Sequence, residues 1–204
     1  VFLALLSYKP QILIFPLVII ILIHKHKIIK PFLKYLMLIF IVSIVILNFK
    51  CWINFLCEFF SSPANLLGNE WIKTASIQPT TYTLFKAIGL NGNVLKVCVA
   101  FISLITVLIC YRVVKNSANL LLKDSAIILG IFLAVPYFVQ YDLMILSIPM
   151  VMMVKYFLTN QSSNSERFIL FMMWLSPLLN MSIFMKSRLN VIPFVIILCL
   201  LCVY

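Results

Sequence analysis

Long apolar runs interrupted by short basic stretches set the pattern of this chain. Seven runs can be marked, at Val1–Ile23, Tyr35–Phe49, Val94–Tyr111, Ser125–Val139, Leu143–Leu158, Phe168–Met185 and Val191–Val203. Their apolar positions are continuous and do not alternate, which predicts helices and argues against a β-barrel. About 20 residues cross the hydrocarbon core as a helix. Val1–Ile23 has that length, and the shorter runs reach it by recruiting turns from adjoining loops. The expected fold is all-α: one polytopic helical membrane domain over residues 1–204, with about seven transmembrane segments.

Composition supports this reading. The 204 residues are 64% hydrophobic and 10% charged, too apolar for a domain whose exterior meets water. The net charge of +11 would suggest nucleic acid in a soluble protein. Here no basic stripe is interleaved with aromatics, so nucleic-acid binding is excluded. The charge instead orients the chain. His24–Lys34 holds four lysines and two histidines, Arg112–Asp124 three basic residues and Lys155–Arg167 two. Those loops are assigned to the cytoplasm, with His24 and His26 read as a juxtamembrane stretch touching anionic lipid. The segment 50–93, the Gln140-Tyr141-Asp142 connection and Lys186–Asn190 fall outside. The six cysteines show no metal spacing. Cys199 and Cys202 read as small apolar residues, and Cys51 and Cys57 can pair only if the backbone between them is not a regular helix. No signal-peptide pattern opens the chain. It has no initiator methionine and is expected to be the later part of a longer protein.

Segment 50–93 is too long for a structureless loop. Trp52, Phe55, Leu56, Phe59 and Phe60 recur at helical spacing, opposite Lys50, Asn54 and Glu58. This predicts an amphipathic helix, either lying in the membrane interface or packed on its neighbours. A second short helix is expected from Pro79 to Ala87, closed by Gly89 and the Asn91-Gly92 turn.

Candidate chemistry rests on few polar groups. Lys9, Pro10 and Gln11 interrupt the first run, about 21 Å along a helix from its basic end. A lysine there costs about 2.5–3.5 kcal/mol to insert and the proline removes a backbone donor, so the three are expected to line a polar cavity. Snorkelling of Lys9 to the outer headgroups is the bland alternative. Pro136-Tyr137-Phe138-Val139-Gln140-Tyr141-Asp142 places a carboxylate at the outer surface, as site lining, as a cap for a helix beginning at Leu143, or both. Gln78-Pro79-Thr80-Thr81-Tyr82 with Lys86 reads mainly as a polar loop before the short helix. Glu58 and Glu70 read as surface carboxylates. Asn180 with Ser182 is an ambiguous polar pair, and Lys186 with Arg188 reads either as a seat for an anionic headgroup or as a mark of the membrane interface. No phosphate-binding glycine loop, Ser/His/Asp arrangement or metal-ligand spacing occurs.

With those residues in view, the chain resembles the later half of glycosyltransferase family 87, the polyprenol-phosphate-mannose-dependent mannosyltransferases of the GT-C superfamily. The likeness is carried by Leu5-Leu6-Ser7-Tyr8-Lys9-Pro10-Gln11, by Thr81-Tyr82-Thr83-Leu84-Phe85 with Ile88-Gly89, and by Val135-Pro136-Tyr137 with Tyr141-Asp142-Leu143. Tyr137 stands where relatives often carry histidine. The resemblance implies a GT-C-like fold in a cell membrane and hexosyl transfer from a polyprenyl-phosphate sugar to a lipid or glycan acceptor outside the cytoplasm. It also implies a general base in an outer loop ahead of Val1. On that reading Lys9 binds the donor phosphate, while Gln11, Tyr82, Tyr137, Gln140, Tyr141 and Asp142 line the substrate, and no cofactor or metal is required. The richness in Ile, Lys, Asn and Phe fits an AT-rich bacterial genome. A transporter or flippase and a non-catalytic subunit of a membrane complex are the alternatives.

Overall fold

The computed structural model describes residues 10–23, 26–61, 78–135, 138, 140–160, 162–187 and 189–204. Among these every regular element is helical. The elements are α1 (Pro10–Leu22), a 3-10 turn (His26–Ile28), α2 (Ile29–Leu47), α3 (Phe49–Ser61), α4 (Thr81–Ala87), α5 (Gly92–Asn116) and α6 (Leu120–Ala134). A 3-10 helix (Gln140–Leu146) follows, then α7 (Ser147–Thr159), α8 (Asn164–Ser187) and α9 (Ile192–Val203).

α6 is the hub, packed against α1, α5, α7 and α9. Leu129, Gly130, Ile131, Phe132 and Leu133 are consecutive buried residues, so this helix is enclosed on all sides. Gly130 makes the enclosure possible: a Cβ there would sit 2.5 Å from Phe15 Cζ and 2.7 Å from Cys110 Sγ. The missing side chain lets α1 and α5 approach the α6 backbone, the use of small residues expected between helices in lipid. α9 buries Ile192, Val195, Ile196, Cys199 and Leu200 and leaves Phe194, Leu198 and Leu201 exposed along one face. α2 lies outside this core, touching α1 through Phe32 and Leu13, with its other apolar side chains largely exposed.

Seven spans are expected from the pattern. Among the described residues, four helical stretches are long and apolar enough to cross a membrane: Ile29–Leu47, Gly92–Asn116, Asp142–Thr159 and Asn164–Phe184. The others are shorter. α9 has 12 residues and α6 has 15, roughly 18 and 22 Å against a core of about 30 Å. Shortness is tolerated in α6, which is surrounded by protein whose neighbouring groups satisfy its backbone ends. The basic loops are also tighter than the pattern suggests. α5 runs on through Arg112 and Lys115 to Asn116, and α2 already begins at Ile29 within the His24–Lys34 stretch.

Helix ends follow their local chemistry. Asn119 Oδ1 caps α6 by accepting from Leu121 N at 2.8 Å. Before α8, Ser163 Oγ accepts from Glu166 N at 3.2 Å while Glu166 Oε2 accepts from Ser163 N at 2.7 Å, a reciprocal capping box. Pro177 inside α8 has no N–H for the carbonyl of Met173, and Ser176 Oγ donates to that carbonyl instead, at 2.8 Å.

Candidate functional site

Most of the buried polar side chains gather at one end of the bundle, where α4, the C-terminal end of α6, the C-terminal half of α8 and the start of α9 meet. α4 is stapled by Thr80 and Thr83, each hydroxyl accepting from the other's backbone N–H, at 3.3 and 3.2 Å. Its far end closes in a Schellman turn, with Gly89 N donating to the Lys86 carbonyl and Leu90 N to Phe85, both at 3.1 Å. Gly89 sits at φ 94°, the left-handed conformation this turn needs.

The last carbonyls of α6 have no helical partner, because Pro136 follows and cannot donate. Hydroxyls from neighbouring helices reach them. Thr81 Oγ1 donates to the Leu133 carbonyl at 3.2 Å, and Ser103 Oγ lies 2.9 Å from that of Ala134. Asn190, fully buried, joins the third side: its Nδ2 donates to Thr83 Oγ1 at 3.2 Å and to the Thr80 carbonyl at 3.4 Å, while Oδ1 accepts from Ile192 N at 3.3 Å. Asn180 Oδ1 accepts from Val191 N at 2.9 Å and so ties α8 to the start of α9. Every described buried side-chain N or O has a partner. The network therefore holds shape and has no spare group of its own for a ligand.

Asp142 stands at this same end. Phe138 stacks on Phe132 at 4.5 Å and anchors the chain after α6 to the core. In the 3-10 helix that follows, Leu143 and Leu146 are three residues apart, fall on one face, and are both buried. That face draws Asp142 inward to 4% exposure. Asp142 does not cap the next α-helix: α7 begins at Ser147, and its N-cap residue, Leu146, makes no side-chain bond. A carboxylate so enclosed is held by its surroundings and cannot wander as a surface turn would.

The remaining expected site residues divide as follows. Tyr82 is half-buried on α4, where burial raises its phenol above the usual range. Lys86, one turn on, has its ammonium 6.0 Å from the Tyr82 ring centre, and burial lowers its titration. Lys9 and Tyr137 lie outside the described residues, as do the side chains of Gln11, Gln140 and Tyr141. Gln78, Thr80 and Thr81 read in the sequence mainly as a polar loop before a helix, yet they and Thr83 are buried: Thr81 meets the end of α6, and Thr80 and Thr83 cap α4 and meet Asn190. Asn190 carries no signal in the sequence, since an asparagine in a loop before Pro193 reads as a turn residue. Asn180, polar in the middle of an apolar run, carried a usable signal; its companion Ser182 is exposed and bonds only within α8.

The proposed interfacial helix exists as α3, and it begins by packing. Trp52 Nε1 donates to Ser43 Oγ at 3.1 Å and its ring meets Phe40 edge-on at 4.9 Å, folding α3 back on α2. Phe55, Leu56, Phe59 and Phe60 have side chains outside the described set. α3 is a regular helix through Cys51 and Cys57, and both are free thiols. Among the described residues no three His, Cys, Asp or Glu side chains group as metal ligands.

Fold and site together define an all-α membrane protein with a closed polar network and a buried carboxylate at one end of its helices. Comparison with protein-family models, curated proteins and solved structures finds no match.

Proposed function

We propose that this protein is a membrane glycosyltransferase that moves a hexosyl group, mannosyl on the resemblance, from a polyprenyl-phosphate donor to a lipid or glycan acceptor on the outer face of a cell membrane. The observation that carries the reading is the enclosed Asp142 carboxylate, at the same end of the membrane-length helices as a network of threonines and asparagines. A sugar bound there would need fixed hydrogen-bond acceptors for its hydroxyls, and Asp142 would offer carboxylate lone pairs beyond the interaction that already holds it. In the transfer, the bond between the sugar's anomeric carbon and the phosphate oxygen breaks, and its electron pair leaves with polyprenyl phosphate. The acceptor oxygen bonds to the same carbon, and its proton passes to a base. Lys9 would hold the departing phosphate, as a cation aimed at developing charge. Gln11, Gln140, Tyr82, Tyr137 and Tyr141 would complete the walls.

The test is transfer of radiolabelled sugar from synthetic polyprenyl-phosphate donors by the full-length protein in vesicles. Asp142→Asn and Lys9→Ala are each expected to lower transfer at least about 100-fold, the scale for removing one electrostatic stabiliser. Transfer that is unchanged in both variants would sink the assignment. So would movement of the donor lipid across the bilayer with no sugar passed to an acceptor, which would make the protein a flippase.

A further inference from the structure

We infer that the cleft between α7 and α8, at the end of the bundle opposite the candidate site, is a binding site for an anionic phospholipid. The cleft has a volume of about 400 Å³ and is lined by Val154, Phe157, Leu158, Ser162, Arg167 and Leu170. Its walls are aliphatic and aromatic, and its one charged group is a guanidinium. That combination fits a phosphate headgroup joined to acyl chains. It does not suit a soluble anion, which gains nothing from apolar walls.

Arg167 is held for this task. Its Nε donates to Ser162 Oγ at 2.9 Å, which fixes the plane of the guanidinium and leaves both amino groups without a partner among the described residues. A planar fork of this kind matches phosphate oxygens two at a time. The neighbouring acid forms no ion pair with it among the described residues: Glu166 Oε2 turns to Ser163, accepting from N at 2.7 Å and from Oγ at 3.0 Å. The rest of this end is basic on balance. Arg112, Lys115, Lys123 and Lys155 lie toward it, against Asp124 and Glu166 as its acids among the described residues. The cleft also continues onto surface that a bilayer would cover, since Leu158 is 83% exposed and Phe168 and Phe171 are exposed on α8. The long helices place Arg167 where a headgroup sits when the acyl chains run along Leu158 and Val154.

The test is native mass spectrometry of the full-length protein in neutral detergent, titrated with phosphatidylglycerol. Arg167→Gln should weaken binding about fivefold, the effect of one cation near an anionic lipid surface. Leu158→Asn should weaken it as well, Arg167→Lys should keep most of it, and Lys115→Gln should leave it unchanged. All four variants alter exposed positions and should leave the fold intact. Equal binding by Arg167→Gln and the parent protein would overturn the site. An equal loss in Lys115→Gln would overturn it too, since a diffuse basic surface would then suffice. Displacement of the lipid by inorganic phosphate, or equal retention of phosphatidylcholine, would reject an anionic lipid as the occupant.

Discussion

Replacing Asn190 by alanine tests whether the closed polar network holds the bundle end together. Asn190 makes three side-chain hydrogen bonds, and their loss is unequal. The Thr80 carbonyl keeps Leu84 N at 3.1 Å, and the single Thr83 hydroxyl proton keeps the Gln78 carbonyl at 2.7 Å. Those two partners lose little. The Ile192 N–H has only Asn190 Oδ1 in the first turn of α9 and belongs to a residue with no exposed surface. An orphaned buried donor costs about 1–3 kcal/mol. A helix–helix hydrogen bond in a membrane protein averages about 0.6 kcal/mol when both ends can find other partners. The orphan therefore dominates, and Asn190→Ala should destabilise by about 2–3 kcal/mol. The assay is reversible unfolding in mixed micelles of rising denaturing-detergent fraction, followed by far-ultraviolet circular dichroism. Ser182→Ala, at an exposed hydroxyl bonded within its own helix, is the control and should stay within about 0.5 kcal/mol of the parent. Asn190→Ala falling in that same narrow range would refute the reasoning, because Ile192 N–H must then have another acceptor.

Three further outcomes follow from the packing. Gly130→Ala should cost about 1–3 kcal/mol by the same assay, since its Cβ would meet Phe15 and Cys110 below 3 Å; adding Phe15→Leu should recover part of the loss, and a Gly130→Ala protein as stable as the parent would contradict the close approach. Thr80→Ala removes the α4 cap and should cost about 1 kcal/mol, seen as faster amide exchange confined to residues 81–87; unchanged exchange there would mean the cap is idle. Maleimide in detergent should modify Cys51 and Cys57 readily and spare Cys110 and Cys199 until the protein unfolds, whereas labelling of Cys110 in the folded state would deny its position against α6.

Elementary chemistry reached some of these features from the chain alone. The helical class follows from apolar runs too continuous for strands. The amphipathic period at Trp52 announces α3, and Gly89 with the Asn91-Gly92 pair marks the end of α4. These are signals within one or two turns, where the sequence neighbours are also the spatial neighbours. The direction in which Trp52 turns was not legible, because Ser43 and Phe40 meet it across the bend at Asn48.

The chain by itself determined that this protein is a set of apolar helices joined by basic stretches, and it singled out Asp142 as a rare carboxylate at a helix junction. Only the tertiary structure decided that α6 is enclosed and α2 is not, that Asp142 is buried although α7 begins only at Ser147, and that Thr81 closes the end of α6 while Asn190 ties α4 to the start of α9. The reason is physical. An unpaired backbone group at a helix end in a low-dielectric interior must find a partner, and which side chain comes within reach depends on how helices cross. Local pattern states that a helix ends; packing chooses what closes it.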